Sequence, residues 1–287
     1  MALDLDRTTL DGQGRLSEGN RNALLQAMAN GVHIVVASGR SFATLPQDIL
    51  NLPGIEYAVT GNGAAMYHVP TGKCLCRYLL KEKDIMAILE ATASWYGNSK
   101  ADTGKEAALE ECITYEAFVD GAAYADRAYV ENPAAFGATP QAVEYIKRTR
   151  NLVEDIRAFI LAHRKEMDSM DIVVSRRERQ SDIWQAIEAC AEEIYITSSI
   201  PQLIEISYQD AGKHSGVKYI MERLGLRREE IAAFGDADND VDMLFFAGCG
   251  IAMENASPKC KAAADYITRS HREDGVAYGL REILHVI

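Results

Sequence analysis

Apolar runs alternate with amphipathic stretches over the first third of the chain. Val32–Ala37 is a run rich in β-branched residues, typical of a buried parallel strand. Glu18–Asn30 carries apolar residues at helical spacing, and the pattern predicts another helix over Ser41–Leu50 and a strand over Tyr57–Thr60. Strands that alternate with helices indicate βαβ units and a parallel sheet.

The same alternation returns after Lys213 and continues to the end of the sequence. The predicted helices and strands cover, in order, His214–Leu224, Ile231–Phe234, Asp240–Ala247, Gly250–Met253, Pro258–Ala264, Tyr266–Thr268 and Val276–Leu284. These elements would extend the parallel sheet of the first third.

The middle of the chain follows a different order. Helical spacing predicts helices over Lys81–Trp95, Val143–Glu166 and Arg177–Ala191. The predicted strands are Glu111–Val119, Tyr124–Val130, Asp171–Ser175, Glu193–Thr197 and Leu203–Tyr208. We therefore expect an α/β protein with a Rossmann-like parallel-sheet core, residues 1–80 and 211–287, and an inserted α+β domain, residues 81–210.

The net charge of the chain limits the classes of partner that it is expected to bind. The 287 residues include 42 acidic and 30 basic side chains, a net charge of −12. Nucleic-acid binding depends on Lys and Arg that neutralise phosphates, so we expect no nucleic-acid partner, and the same sign disfavours an anionic membrane surface. A small anionic substrate is not excluded, because it responds to local charge.

The sequence contains no apolar run of the ~18 residues that a membrane helix needs and no secretory signal pattern. The six cysteines are scattered, which favours free thiols. Cys74 and Cys76 form a C-x-C pair, but the sequence offers no second pair and no nearby His to complete a zinc set. We therefore expect a cytoplasmic protein.

Two carboxylates, Asp4 and Asp6, follow the first apolar residues. Alternate residues of an extended strand share a face, so both would point the same way. Such a pair needs a shared cation or proton, and can supply a nucleophile and a general acid/base. The alternative is a solvated strand edge. Only three residues precede Asp4, so this strand is expected to be short or to begin upstream of Met1.

Anion-binding groups follow another predicted strand and open a later helix. Ser38, Gly39 and Arg40 come directly after Val32–Ala37 and offer a hydroxyl, a flexible backbone and a cation to an oxyanion. Lys213 lies among small residues and could approach a phosphate. The alternatives are a helix cap at Ser38 and an ordinary exposed lysine.

An acidic loop follows the predicted strand Ile231–Phe234. Its oxygen-bearing side chains are Asp236, Asp238, Asn239, Asp240 and Asp242. Carboxylate oxygens suit Mg²⁺. The EF-hand interpretation fails, because Val241 and Ala247 stand where a calcium loop needs Gly and Glu. The alternative is an acidic turn that caps a helix.

These groups fall near strand ends of one predicted sheet, where open α/β sheets bind ligands. Together they are what Mg²⁺-assisted phosphoryl transfer through a covalent aspartyl intermediate needs.

The motif set resembles that of the haloacid dehalogenase-like phosphohydrolases, in particular the Cof-type branch, which inserts a large α/β cap before the motif lysine. The matching segments are Asp4-Leu5-Asp6-Arg7-Thr8 (family D-x-D-G-T), Ser38-Gly39-Arg40, Lys213, Gly235–Asp240 (G-D-x-x-N-D), Thr60–Ala64, Asn255-Ala256 and Glu273–Ala277. The likeness covers the core, whereas the middle domain is similar only in size and element order.

The resemblance implies a role for each matched residue. Asp4 would be the nucleophile and Asp6 the general acid/base. Ser38, Gly39, Lys213 and Asn239 would bind the phosphate, and Mg²⁺ would be held by Asp4, Asp6 (through its main-chain carbonyl) and Asp236, with support from Asp240. Arg40 would be a candidate substrate contact.

Arg7 departs from the family pattern, because it stands where the motif has glycine. If that position has a positive φ, an arginine there costs about 1 kcal/mol or more. We therefore expect either an ordinary backbone conformation at Arg7 or a guanidinium that reaches the cleft as a second candidate substrate contact.

The resemblance implies a Mg²⁺-dependent phosphatase that acts on small phosphorylated metabolites, such as sugar phosphates or phosphorylated cofactors. Two alternatives stay open: a phosphomutase of the same fold, and a catalytically inactive protein that binds a phosphate ligand for regulation. Nothing in the sequence indicates the oligomeric state.

Overall fold

The computed structural model describes residues 1–97 and 112–287. Its strands, in chain order, are β1 Ala2–Leu3, β2 Ile34–Ala37, β3 Ile55–Thr60, β4 Ala65–His68, β5 Lys73–Arg77, β6 Ile113–Val119, β7 Ala122–Asp126, β8 Arg150–Val153, β9 Met167–Val174, β10 Ile194–Thr197, β11 Leu203–Tyr208, β12 Ala232–Gly235, β13 Cys249–Ala252 and β14 Tyr266–Ile267.

The α-helices are α1 Glu18–Ala29, α2 Gln47–Leu50, α3 Glu82–Ala91, α4 Arg127–Glu131, α5 Pro140–Thr149, α6 Ile156–His163, α7 Gln180–Cys190, α8 Lys213–Arg223, α9 Val241–Phe246, α10 Pro258–Ala263 and α11 Gly275–Tyr278. A π-helical turn, Gly279–Ile283, follows α11. Among the helices of the described residues, none combines the length and the apolar composition that crossing a membrane requires.

The chain forms two compact units, Met1–Arg77 with Ala211–Ile287, and Tyr78–Asp210. The first unit is built on an eight-stranded sheet in the order β14-β13-β12-β1-β2-β3-β4-β5. Its strands are parallel from β14 to β3, and β4 and β5 add an antiparallel edge. The predicted Rossmann-like parallel core is therefore confirmed.

The strand order of this sheet reverses between β12 and β1. From β1 the chain proceeds to β2 and β3 on one side, whereas β12, β13 and β14 extend the sheet on the other. Such a reversal is the topological switch point at which open α/β sheets bind their ligands, outside the carboxyl ends of the strands. The site is therefore expected beside the residues that follow β1 and β12.

The first unit differs from the sequence prediction in two places. The predicted helix Ser41–Leu50 is broken, because Pro46 is extended and only α2 follows it. The β4–β5 hairpin was not predicted. Its strands are short and are joined by a turn that ends at left-handed Gly72, so neither has a long apolar signature.

The second unit contains a six-stranded sheet in the order β10-β11-β9-β6-β7-β8. All neighbours are antiparallel except β7 and β8. Apolar residues of α3, α6 and α7 pack into the main core with β6, β9 and β11. A smaller cluster joins α4 and α5 to the sheet. This confirms the α+β character expected of the inserted segment.

The predicted helix Val143–Glu166 was wrong in its middle. It is interrupted by β8, and α6 starts afresh because the Asp155 side chain accepts a hydrogen bond from the Ala158 amide. The predicted strand Tyr124–Val130 ends at Asp126, where α4 begins. Residues Ile113–Val119 of the predicted strand Glu111–Val119 form β6, and Glu111 lies outside the described residues.

Candidate active site

Three sequence-predicted residues lie at the carboxyl ends of three neighbouring parallel strands. Asp4 follows β1, Ser38 follows β2 and Asp236 follows β12. Leu3 of β1 is paired with both neighbours, and the Asp4 amide donates to the Phe234 carbonyl at 3.0 Å. The short strand β1 is therefore hydrogen-bonded to a strand on each side, which fixes the backbone at Asp4.

Lys213, the first residue of α8, is the cation at the centre of this cluster. Its Nζ donates to Asp4 Oδ1 and to Asp240 Oδ1, each at 2.7 Å, and the side chain is 1% exposed. Burial by itself lowers the pKa of Lys213, but the carboxylates of Asp240 and Asp4 outweigh it and raise that pKa above its ordinary value. The lysine is therefore a permanent buried cation and not the exposed lysine of the alternative interpretation.

Asp240 organises the acidic loop from within. Its Oδ2 accepts the main-chain N–H groups of Asp236 at 2.9 Å and of Ala237 at 3.0 Å, while Oδ1 accepts from Lys213. A Cβ at Gly235 would lie 2.5 Å from the Asp240 Cβ, so only glycine leaves room for this loop. Both oxygens of Asp240 are thus engaged by the protein.

Asp236 faces the Asp4 loop. Its Oδ1 accepts from the Thr8 hydroxyl at 3.3 Å, and its Oδ2 accepts from Asn255 Nδ2 at 3.2 Å. Burial, and then the charge of Asp240, raise the pKa of Asp236 to about 7. Burial and the charge of Asp240 likewise raise the pKa of Asp4 well above its usual range, although Lys213 opposes them.

The donor set fits a hard divalent cation. Asp4, Asp236 and Asp240 each offer a carboxylate oxygen, and these atoms lie within 4.8 Å of one another. Two of these three buried carboxylates, Asp4 and Asp240, share the Lys213 ammonium. Burial, and then the negative charge of Asp240, raise the pKa values of Asp4 and Asp236. Oxygen-only ligands with uncompensated charge are what Mg²⁺ prefers.

The carboxylate of Asp6 lies on Arg40 and not with the acidic cluster. Arg40 donates from Nε to Asp6 Oδ2 at 2.8 Å and from Nη2 to Asp6 Oδ1 at 2.6 Å, and its Nη1 donates to the Thr44 carbonyl at 3.3 Å. A paired fork of this kind fixes the plane of the carboxylate. The Arg40 side chain is mostly buried, whereas that of Asp6 is half-exposed.

The other predicted phosphate-binding residues lie on two loops. Ser38 is buried, and its Oγ accepts from the Arg40 amide at 3.2 Å across Gly39. Asn239 is buried too, and its Nδ2 donates to Asn62 Oδ1 at 2.9 Å. Its own Oδ1 is buried with no hydrogen-bond partner among the described residues.

Asn62 connects three of the motif segments, a role that sequence reasoning missed. Its amide donates to the Ser38 carbonyl at 3.1 Å, its carbonyl accepts from the Gly212 amide at 2.8 Å, and its side chain accepts from Asn239. Asn62 has a φ of 51°, which Asn tolerates better than most residues. The signal was present in the Thr60–Ala64 segment, where Asn stands between two glycines after a strand.

Asn255 is a second residue whose role was missed. Its Nδ2 donates to the Arg7 carbonyl at 3.0 Å and to Asp236 Oδ2, and its Oδ1 accepts from the His271 amide at 3.0 Å. It therefore joins the Asp4 loop to the acidic loop. Asn255-Ala256 is one of the segments that match the family, but the sequence alone does not indicate which residues the Asn255 side chain contacts.

Arg7 adopts the left-handed conformation, with a φ of 61°. Its Nε lies 3.8 Å from Asp236 Oδ2, and its side chain is 53% exposed. The prediction of an ordinary backbone conformation at Arg7 is therefore wrong. The guanidinium lies beside the acidic cluster.

Comparisons with known proteins agree along the whole chain. A family model of haloacid dehalogenase-like hydrolases matches residues 1–280. The phosphatase YwpJ of Bacillus subtilis is 28% identical over 292 residues, which cover 99% of each chain. The 5-amino-6-(5-phospho-D-ribitylamino)uracil phosphatase YitU, also of Bacillus subtilis, is 30% identical over 285 residues, 98% of this chain and 96% of its own.

A solved structure of a haloacid dehalogenase-like hydrolase from Bacillus subtilis superimposes with a TM-score of 0.79, at 25% identity, and covers 98% of both chains. The match includes the core with its motif loops and the inserted unit. The chain therefore belongs to the haloacid dehalogenase-like hydrolases, the family that its motifs predict.

Proposed function

We propose that this chain is a Mg²⁺-dependent phosphatase that hydrolyses small phosphorylated metabolites through a covalent phosphoryl intermediate on Asp4. The observation that carries the proposal is the buried cluster of Asp4, Asp236 and Asp240 around the Lys213 ammonium at the switch point of the sheet. A nucleophilic carboxylate and a phosphate repel each other, so a site for this reaction must concentrate cations.

Asp4 and Asp236, with the main-chain carbonyl of Asp6, would hold the Mg²⁺. Asp240 is better suited to support them, because both its oxygens already accept hydrogen bonds from Lys213 and the loop. The bound cation would supply Lewis-acid polarisation of a phosphoryl oxygen and neutralise developing charge.

Asp4 is the nucleophile. Its carboxylate oxygen forms a bond to phosphorus while the ester P–O bond breaks, and Asp6 gives its proton to the leaving oxygen. In the second half, Asp6 takes a proton from a water molecule whose oxygen attacks phosphorus, the bond to Asp4 breaks, and phosphate leaves. Lys213 holds a phosphoryl oxygen throughout, and its charge opposes the rise in the pKa of Asp4 that burial and Asp240 cause.

Arg40 holds both oxygens of the Asp6 carboxylate through its Nε and Nη2 and contacts the Thr44 carbonyl through its Nη1. In this scheme Asp6 leaves the Arg40 fork before it gives its proton to the leaving oxygen. Ser38, Gly39 and Asn239 provide the phosphate cradle. The orphaned Oδ1 of Asn239 can accept from a protonated phosphate or from a metal-bound water.

The substrate class is a phosphate monoester of a small polyol, sugar or cofactor precursor. The relative YitU is named as a phosphatase of a phosphoribityl compound, which supports this choice. The test is turnover of p-nitrophenyl phosphate with and without Mg²⁺, followed by a panel of phosphorylated metabolites read by released phosphate.

The proposal predicts turnover that needs Mg²⁺ and is lost in Asp4→Asn. Turnover independent of metal, or full activity in Asp4→Asn, would contradict the mechanism. An enzyme that moves phosphate within a sugar and releases none would support a phosphomutase, and no reaction on the whole panel would support a binding protein.

A further inference from the structure

The backbone of the Asp4 loop holds Arg7 in a fixed position. The amides of Thr8, Thr9 and Leu10 all donate to the Leu5 carbonyl, at 3.3, 3.1 and 2.8 Å. The Arg7 carbonyl accepts from Asn255 Nδ2 at 3.0 Å. Within these contacts Arg7 adopts a left-handed φ of 61°, which disfavours a side chain with a Cβ. An arginine that stands at such a position is placed by the fold and not by its own conformational preference.

The fixed backbone directs the guanidinium toward Asp236. The Arg7 Nε lies 3.8 Å from Asp236 Oδ2, the oxygen that also accepts from Asn255. The other oxygen of Asp236 accepts from the Thr8 hydroxyl. Arg7 therefore places a positive charge beside the carboxylate that the proposed function assigns to the metal.

A cation beside a metal-binding carboxylate opposes the metal in two ways. It neutralises part of the charge that attracts a divalent ion, and it repels that ion directly. The Arg7 side chain is half in solvent, so water screens the effect and keeps it modest.

We propose that Arg7 weakens divalent-metal binding at Asp236, so that the charge at residue 7 sets how much Mg²⁺ the protein requires. The inference rests on the proposed function, which makes Asp236 a metal ligand. Removal of the charge is expected to tighten metal binding about three- to tenfold at low salt, and the gain is expected to shrink as salt screens the charge.

Metal binding, measured without substrate, tests the inference. Mn²⁺ is titrated into each protein, free Mn²⁺ is read from its electron paramagnetic resonance signal, and Mg²⁺ affinity is obtained by competition. Arg7→Gln removes the charge and keeps a Cβ at the strained backbone position. Arg7→Lys keeps both the charge and the Cβ, and Arg7→Gly removes both. Arg7→Gln and Arg7→Gly should bind Mn²⁺ and Mg²⁺ more tightly than wild type, and Arg7→Lys should match wild type.

Equal affinity in all four proteins, or weaker binding in Arg7→Gln, would overturn the inference. Tighter binding in Arg7→Gly alone would also overturn it, because relief of backbone strain would then be the cause. Asp236→Asn separates the two proposals: it should lose Mn²⁺ binding. Retained binding there, or no binding by wild type, would contradict the metal assignment itself and the inference with it.

Discussion

At the scale of single residues, the site depends on a lysine that has lost almost all contact with water. Lys213 is the ammonium shared by Asp4 and Asp240, and all three side chains are buried. Removing one partner of a buried ion cluster leaves the others uncompensated, which destabilises far more than the cluster itself stabilises. The charge of Lys213 is therefore needed both for the stability of the fold and for the proposed reaction.

Replacement of Lys213 by an apolar side chain of similar length should therefore make the folded protein less stable. Lys213→Met is expected to lower the free energy of unfolding by about 3–5 kcal/mol in urea denaturation with EDTA present. Lys259→Met is the matched control, because Lys259 is 77% exposed in its ion pair with Asp238 and should cost less than about 1 kcal/mol. Equal losses in the two variants would contradict the shared-cation role of Lys213.

Most of these residues could be chosen from the sequence, since strand ends and carboxylate spacing point to Asp4, Asp236 and Lys213. Their partners could not. That Asp6 pairs with Arg40, or that Asn62 contacts Ser38, depends on distances across the sheet. Residues far apart in sequence meet only once the strand order is known, and motif spacing does not give that order.

At the scale of elements, the turn after β3 must pass very close to the start of α8. A Cβ added at Gly63 would lie 2.0 Å from the Gly212 carbonyl oxygen, and Gly63 has a φ of 92°. This approach allows the Gly212 amide to donate to the Asn62 carbonyl, and so positions the residue after it, Lys213. A small change in this turn is therefore expected to displace the site lysine.

Gly63→Ala should destabilise the protein by more than backbone conformation explains. Gly31→Ala is the matched control, because Gly31 has a φ of 86° with nothing within 4 Å of an added Cβ. The control should cost about 1 kcal/mol, and Gly63→Ala should cost about 1–3 kcal/mol more through overpacking, measured by urea denaturation. Similar costs in both variants would show that the close approach is unimportant.

In the inserted unit, the strand register places three carboxylates in a row. Asp171 of β9 lies opposite Glu116 of β6 and Glu205 of β11. Arg150 pairs with Glu116 at 2.9 and 2.6 Å. Burial, then Glu205 and Glu116, raise the pKa of Asp171 well above its usual range. Its protonated form is thus favoured in the folded state.

This raised pKa makes stability depend on pH in a definite direction. The stability associated with protonated Asp171 is present below its ordinary pKa of about 3.9, and it is lost as pH rises through the raised folded pKa. Asp171→Asn should therefore be more stabilising relative to wild type at pH 8 than at pH 5, as urea denaturation can measure. Asp182→Asn, on the surface of α7, should show no such trend, and an equal effect of Asp171→Asn at both values would refute the interpretation.

The sequence predicted uninterrupted elements better than interrupted ones. The alternation of Leu203–Tyr208 matches β11 from end to end. The helix predicted over Val143–Glu166 was wrong, because β8 has only four residues and is extended by pairing with β7, and no local pattern indicates that pairing. Tertiary pairing overrides local propensity in such short segments.

At the scale of the whole molecule, the negative charge and the phosphate chemistry act in opposite directions. The net charge of −12 gives an anionic substrate an unfavourable long-range field, while Lys213 and a bound Mg²⁺ would attract it only at short range. Binding is therefore governed by the local cluster, and the global field should slow the encounter and not steer it.

Salt should accordingly leave the catalytic efficiency undiminished. Raising the ionic strength at fixed free Mg²⁺ screens the repulsive field, so kcat/KM for a dianionic phosphate ester should stay constant or rise slightly. Steady-state kinetics over a series of KCl concentrations measures this. A steep fall of kcat/KM with salt would mean that attractive steering operates after all.

The most direct test of the central claim is to identify the residue that carries the phosphoryl group during turnover. The enzyme is acid-quenched while it turns over a phosphate ester with Mg²⁺, reduced with borohydride, which converts an aspartyl phosphate to homoserine, and mapped by mass spectrometry. The mechanism predicts homoserine at position 4 in the wild type and none in Asp4→Asn, which should not turn over. Homoserine at any other aspartate, or wild-type turnover by Asp4→Asn, would contradict it.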